Sequence, residues 1–266
     1  MYRSTSFSQL PPVVKNLLII NGLFFLAKMT LPREIIDMDK LFALHPFQSP
    51  HFEPYQIITH MFMHGDFTHL FFNMFAIWMF GKILENVWGG KRFLIYYMIT
   101  GLGAMILYSS VQQVQISVLE AEISTEQIEF LSSEEGYNAL QEAIELIKDP
   151  NHISANIALN QWGYKHNIDQ KSFELLPFYH TKVLGASGAL FGILLAFGML
   201  FPNTLLYLFF AIPLKAKYFV IGYGVLELVL TFTNTNDGVA HLAHLGGMLF
   251  GFILLKYWQK NNTQFY

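Results

Sequence analysis

The sequence predicts an all-α, polytopic membrane protein built as a six-transmembrane-helix bundle. Hydrophobic residues make up 53% of the 266 residues and charged residues only 13%, whereas soluble domains carry about 25% charged residues. Six stretches approach the length of about 20 apolar residues that crosses a bilayer. The chain has no cysteine, which excludes disulfides and thiolate sites. A net charge of −3 offers no basic field for nucleic acid, so we expect no nucleic-acid partner.

The predicted spans follow the chain in order, with polar interruptions in some of them. The fifth is divided by Pro213, Lys215 and Lys217, so we expect a short turn-back at 205–214 and a deeper part at 218–232. The six spans are predicted at about 13–29, 67–85, 93–111, 183–201, 205–232 and 239–258.

A water-soluble, mostly helical insert is predicted at 112–180, between helices 3 and 4. It holds eleven acidic residues and three lysines, a net charge of −8, so the rest of the chain carries +5. Its apolar residues have helical spacing, and Ser132 with Glu135 predicts a capping box. Nine Lys and Arg residues fall on one side of the predicted bundle, and cytoplasmic loops are rich in these residues. The sequence therefore predicts cytoplasmic termini, an extracytoplasmic acidic insert, and one membrane domain over 1–266.

Ser187 is a candidate nucleophile at the start of the fourth span. Gly185 and Gly188 flank it and allow close backbone approach, and a helix N-terminus offers free N–H groups to an oxyanion. The alternative is helix packing, because Gly188-x3-Gly192 is a small-x3-small pattern.

A serine nucleophile needs a base, and the sixth span offers His241 and His244. If the Gly188 face packs on the face of Gly247-x3-Gly251, Ser187 and His244 lie opposite each other at one end of the bundle. Spacing alone does not decide between the two histidines. Asp237 is a conceivable third member, although a loop position is the simpler interpretation.

Further polar residues cluster at the second span. His69 and Asn73 lie on one helical face and could donate to an oxyanion, or could simply hold helices together. His60 and His64 have zinc-ligand spacing but no H-E-x-x-H motif, so a hydrogen-bonding role in the loop is favoured and no metal site is predicted. Glu85 is the lone carboxylate of the second span, near its end.

In combination, these motifs resemble the rhomboid intramembrane serine proteases. The resemblance rests on six helices, H-x3-H-x4-H-x3-N at the second, G-x-S-G at the fourth and A-H-x2-G at the sixth. It implies Ser187 as the nucleophile and His244 as the base of a catalytic dyad, with no acidic third member and no cofactor. It also implies His69, Asn73 and the Ser187 backbone N–H as oxyanion donors. Six residues are expected to support the site: Gly185, Gly188, Phe191, His60, His64 and Glu85.

Two departures from the resembled pattern stand out. Phe191 occupies a position where many relatives carry Tyr, and we expect activity to survive this change. The acidic insert is longer than the usual loop and could restrict or recruit substrates.

The implied function is cleavage of transmembrane-helix substrates near the extracytoplasmic membrane surface, with the lipid bilayer as the working environment. A bacterial cell (inner) membrane is the expected location. The turn-rich segment 233–239 could act as a mobile cap. One alternative is a catalytically silent rhomboid-like protein that binds membrane clients. Another is a channel or transporter in which the histidines form a proton path; it predicts paired intramembrane carboxylates, and only Glu85 and Glu227 are available.

Overall fold

The computed structural model describes residues 10–147, 161–163, 165–166, 168–208, 211–233 and 239–261. Within them, regular structure consists of helices and one β-hairpin. In chain order the elements are α1 Pro12–Thr30, α2 Met38–Phe42, α3 Gln56–Thr59, a 3-10 turn His60–Phe62, α4 Phe67–Ala76, a π turn Ile77–Gly81, α5 Lys82–Trp88, α6 Gly90–Glu120, α7 Thr125–Leu131, α8 Glu134–Ile147, α9 Gln170–His180, α10 Ser187–Leu200, β1 Leu205–Leu208, β2 Ile212–Lys215, α11 Ala216–Thr233 and α12 His241–Asn261.

The chain divides into two compact units. The first comprises 1–42, 57–108 and 184–266, and the second comprises 43–56 and 109–183. The prediction of one membrane domain interrupted by an extracytoplasmic insert at 112–180 stays a prediction.

Among the described residues, four helical segments are long and apolar enough to cross a membrane, as expected of an integral membrane protein. They are Pro12–Thr30, Phe67–Trp88, Gly90–Glu120 and Ala216–Thr233. The fourth predicted span is the 14-residue helix α10, which is about 21 Å long at 1.5 Å per residue and shorter than a hydrocarbon core of about 30 Å. The sixth predicted span is α12. Its 21 residues include His241 and His244 near the start and Lys256 and Lys260 near the end. The six-span count therefore stays a prediction.

Helix α10 is the buried centre of the first unit. Eleven of its 14 residues are buried, so protein surrounds it, and this explains how a short helix can be apolar on all sides. Its glycines permit close contacts: a Cβ on Gly192 would lie 2.5 Å from Thr100, and one on Gly247 of α12 would lie 1.8 Å from the Gly188 carbonyl oxygen. The Tyr96 hydroxyl also donates to the carbonyl oxygen of Gly192 at 3.0 Å. The two glycine faces named above therefore pack on each other.

The predicted turn-back at 205–214 is a two-stranded hairpin. Strands β1 and β2 pair antiparallel, with Leu205 opposite Lys215, and α11 begins at the next residue. Pairing of the two strands gives hydrogen-bond partners to the backbone groups around Pro213. Proline itself has no N–H and so cannot donate a hydrogen bond within a helix.

The second unit has a small core of its own. It contains α7, α8 and α9, and an antiparallel bridge joins Leu44 to Val183. Leu131, Leu175 and Tyr179 are almost fully buried in this core. The capping box at Ser132 is wrong in detail: Ser133 accepts from the N–H of Gly136, and a complete box forms instead at Ser124 with Gln127.

Candidate active site

Ser187 is the first residue of α10, and the backbone before it is tightly constrained. Gly185 has φ of +127°, a conformation that favours glycine. Its N–H donates to the carbonyl oxygen of His60 at 2.9 Å, and a Cβ at this position would lie 2.8 Å from Nε2 of His69. Because the first N–H groups of a helix have no intrahelical partner, the Ser187 N–H is available to an incoming oxygen.

The structure brings His244 to Ser187. The Nε2 atom of His244 lies 2.9 Å from the Oγ of Ser187. His244 is 8% exposed, while Ser187 is half-buried. The close packing of Gly247 against Gly188 sets this geometry, since His244 precedes Gly247 by less than one turn of α12. The imidazole can thus accept the proton of the hydroxyl and activate its oxygen.

His241 contacts Glu227 on the neighbouring helix α11. Its Nδ1 atom is 2.7 Å from Oε2 of Glu227 on α11, and its ring centroid is 6.2 Å from that of His244. The contact with Ser187 at 2.9 Å is made by His244, and the choice of base between the two histidines stays a prediction.

Glu227 contacts His244, where the resemblance implied no acidic third member. Its Oε2 atom lies 3.0 Å from Nδ1 of His244, on the ring edge away from Ser187. The residue is only 3% exposed. Sequence reasoning missed this contact because Glu227 lies 17 residues before His244 on another helix. The available signal was its position as a carboxylate inside an apolar span, which marks a functional candidate.

The face of the His244 ring is covered by Phe191. Their centroids are 4.1 Å apart and their planes differ by 9°. Tyr223 of α11 stacks on the same phenylalanine at 5.1 Å. These rings restrict the imidazole to one plane.

His69 presents one ring nitrogen toward the serine side of the site. The Gly65 N–H donates to Nδ1 of His69 at 3.4 Å, which leaves the ring proton on Nε2. A Cβ built on Gly185 would lie 2.8 Å from this Nε2 atom and 3.6 Å from the Oγ of Ser187. Both atoms therefore lie next to the same glycine. His69 therefore offers a donor beside the nucleophile.

Asn73 is buried one turn after His69 on α4. Its Nδ2 donates to the carbonyl oxygen of His69 at 3.0 Å, so the structure ties it to the helix rather than to Ser187. An amide has two N–H donors, and the second is the one that an oxyanion role would use.

His60 and His64 support the loop around the site. The carbonyl of His60 anchors Gly185, as described above. His64 is 1% exposed and its ring meets that of His69 edge-on, with centroids 4.9 Å apart. Burial lowers the pKa of His64 to about 3, so this ring is neutral at pH 7. Lys28 donates to the carbonyl oxygen of His64 at 2.9 Å and fixes the same loop.

Glu85 is not brought to the site. Its carboxylate accepts from the N–H groups of Val13 and Val14 at 2.9 and 2.8 Å. It thus caps the first turn of α1, where N–H groups have no other partner. It follows His69 by 16 residues along one helical segment, or about 24 Å at 1.5 Å per residue. These contacts favour a structural role for Glu85, which stays a prediction.

A metal could be held by one group of side chains among the described residues. The ligand atoms of Glu227, His241 and His244 all lie within 4.8 Å of one another. In the cap predicted at 233–239, residues 234–238, including Asp237, lie outside the described residues.

Comparisons with known proteins place the chain in a family. A model of the rhomboid domain matches residues 51–118 and 164–260, more than half of the chain. The chain is 25% identical over 238 residues to RHOMBOID-like protein 12, mitochondrial, of Arabidopsis thaliana, a match that covers 88% of this chain and 55% of the relative. It is 27% identical over 216 residues to the uncharacterized rhomboid protein P4H10.10, mitochondrial, of Schizosaccharomyces pombe, with 77% and 52% covered.

A Bacillus subtilis protein, YdcA, provisionally named a rhomboid protease, is 40% identical over 50 residues, 19% of this chain and 25% of that protein. The chain spans about half the length of the first two relatives. Because these two are named as mitochondrial, the predicted bacterial inner membrane is not supported. The match of the rhomboid domain over more than half of the sequence means that this chain belongs to the rhomboid family.

Proposed function

We propose that this chain is an intramembrane serine endopeptidase that cleaves transmembrane-helix substrates with Ser187 and His244. The observation that carries the proposal is the 2.9 Å contact between the Oγ of Ser187 and Nε2 of His244. Such contacts between a hydroxyl and an imidazole are the signature of an activated nucleophile. Rhomboid membership adds support, because the family usually comprises serine intramembrane proteases.

The proposed mechanism begins with proton transfer from Ser187 to His244. The serine oxygen attacks the scissile carbonyl carbon, and the resulting oxyanion accepts hydrogen bonds from the Ser187 N–H, Nε2 of His69 and the amide of Asn73. His244 then gives its proton to the leaving amine, and an acyl-enzyme remains. Water, activated by the same imidazole, hydrolyses the ester. No cofactor enters this scheme.

The substrate class follows from where these residues lie. Ser187 and His244 are near the N-terminal ends of α10 and α12, so chemistry takes place near one membrane surface, which the distribution of Lys and Arg assigns to the extracytoplasmic side. A transmembrane helix hides its peptide groups in its own hydrogen bonds. Substrates therefore unwind locally, and Gly or Pro near the cut should favour cleavage.

The test uses the purified full-length chain in liposomes with a fluorescently labelled single-span substrate. Ser187→Ala and His244→Ala should each abolish cleavage, whereas Ser117→Ala, which removes an exposed serine of α6, should not. Undiminished cleavage by either of the first two variants would refute the assignment. A serine-directed fluorophosphonate should label the wild type and not Ser187→Ala. A catalytically silent protein that only binds membrane clients would remain unlabelled in both.

A further inference from the structure

We infer that Glu227 is a positioning residue that orients His244 and stabilises its protonated form during catalysis, so that the site works as a Ser-His-Glu triad. The inference rests on the proposed function, because it assigns a role in the same reaction. It differs from the dyad that the sequence resemblance implies.

The contact geometry is that of a shared acceptor. Oε2 of Glu227 lies 3.0 Å from Nδ1 of His244 and 2.7 Å from Nδ1 of His241. All three residues are at most 8% exposed. A buried carboxylate away from water is costly unless it is hydrogen-bonded, and here two ring N–H groups satisfy one oxygen. His241 therefore fixes Glu227 in place, and Glu227 in turn fixes His244.

The carboxylate determines the tautomer of His244. An ionised carboxylate can only accept hydrogen bonds, so the neutral imidazole beside it carries its proton on Nδ1. Its Nε2 then has a free lone pair, and this atom faces the hydroxyl of Ser187. The opposite tautomer would present N–H to Ser187 and could not take its proton. Glu227 thus selects the form of His244 that acts as a base.

The same carboxylate opposes the positive charge that forms on His244 when Ser187 attacks. Attraction between opposite charges is strong where water is excluded. In soluble serine proteases with a triad, removal of the acid lowers kcat by about 10⁴-fold. We expect a fall on the order of 10²- to 10⁴-fold here.

A metal ion on the same three atoms is the competing interpretation. It would take the Nδ1 lone pair of His244 and leave a proton on Nε2, which faces Ser187. A metal at this position would therefore inhibit the base instead of orienting it. The 2.7 Å separation between Oε2 of Glu227 and Nδ1 of His241 is a direct hydrogen-bond distance.

The experiment compares the wild type, Glu227→Gln, Glu227→Asp and Ser187→Ala in liposomes with the labelled single-span substrate. Glu227→Gln should lower kcat at least 10²-fold with KM changed by less than about threefold, because the amide can donate to Nδ1 and hold the wrong tautomer. Glu227→Asp keeps the charge and should recover part of kcat. It also serves as the test if the Gln variant does not fold. Selective ¹⁵N labelling of histidine should detect a protonated Nδ1 on His244 in the wild type and its loss in Glu227→Gln.

Three results would overturn the inference while leaving the proposed function intact. Two of them are a wild-type kcat in Glu227→Gln and a kcat in Glu227→Asp no higher than in Glu227→Gln. The third is an unchanged state of Nδ1 of His244 in Glu227→Gln, as seen by ¹⁵N labelling. Loss of wild-type activity on chelation, with recovery on adding zinc, would overturn both the inference and the role of His244 as the base. A wild type that cleaves no better than Ser187→Ala would instead count against the protease itself.

Discussion

The ring of Phe191 lies flat on the imidazole of His244, with 4.1 Å between centroids and 9° between planes. The same imidazole is bonded at both nitrogens, to Ser187 on one edge and to Glu227 on the other. Two edge contacts and one face contact leave the ring a single orientation. Because stacking uses the ring face, a phenylalanine can do this as well as the tyrosine that many relatives carry.

Substitution of Phe191 should therefore separate stacking from the hydroxyl group. Phe191→Tyr should keep kcat within about twofold. Phe191→Leu keeps most of the volume but loses the aromatic pair, worth about 0.5–1.5 kcal/mol, so kcat should fall up to about 10-fold. Cleavage assays on folded protein measure both. A Leu variant with the wild-type kcat, or an inactive Tyr variant, would contradict this role.

Close approach of α10 and α12 should be equally necessary. A Cβ on Gly247 would lie 1.8 Å from the backbone oxygen of Gly188, so Gly247→Ala must push the helices apart and move His244 away from Ser187. We expect loss of cleavage and of fluorophosphonate labelling. Gly222→Ala is the matched control, because nothing lies within 4 Å of a Cβ there. It should be neutral or stabilise α11 by about 0.5–1 kcal/mol. Equal cleavage and equal labelling of Gly247→Ala and Gly222→Ala would contradict a need for close packing of α10 on α12.

Removal of Glu85 should affect stability and not chemistry. Glu85→Ala leaves the half-buried N–H of Val13 and the buried N–H of Val14 without their acceptor, and a buried unsatisfied donor costs about 1–3 kcal/mol. Thermal unfolding in detergent should shift to lower temperature, while the kcat of the folded fraction remains near wild type. Glu85→Gln retains one acceptor oxygen, so its unfolding temperature should lie between those of the wild type and Glu85→Ala. A normal unfolding temperature with reduced kcat would reverse this assignment.

The parts of the fold that the sequence predicted are those governed by local pattern. Apolar length predicted the helices at the first, second and third spans. The two G-x3-G faces predicted a contact that the structure contains, because only glycine allows such close approach between Gly188 and Gly247. Placing Ser187 opposite His244 followed from that contact.

What the sequence could not predict depends on contacts between distant segments. Glu227 on α11 contacts His244 on α12, and no spacing rule covers 17 residues across two helices. The capping box was misplaced because S-x-x-E at Ser132 and S-x-x-Q at Ser124 are similar local signals. The short helix α10 shows that an apolar run can be buried by protein instead of lipid, which hydropathy alone does not distinguish.

His180, the last residue of α9, should make the second unit sensitive to acid. It is 5% exposed, and its Nε2 donates to the carbonyl oxygen of Leu131 at 2.7 Å. Burial, helped by a positive charge on His51, lowers the pKa of His180 to about 4, although the hydrogen bond to Leu131 and the charge of Glu134 act in the opposite direction. An unfolded chain takes up this proton near pH 6.5, whereas the folded unit does so only near pH 4.

The contribution of His180 to the free energy of unfolding of this unit should therefore be constant above about pH 6.5 and fall as the pH drops from 6.5 to 4, by up to about 1.4 kcal/mol per pH unit. Hydrogen exchange of backbone amides in α8 and α9, corrected for intrinsic rates, measures this slope. His180→Gln retains an N–H donor for Leu131 but does not titrate, so its slope should be smaller. An identical slope in the two proteins would assign the acid sensitivity to another group.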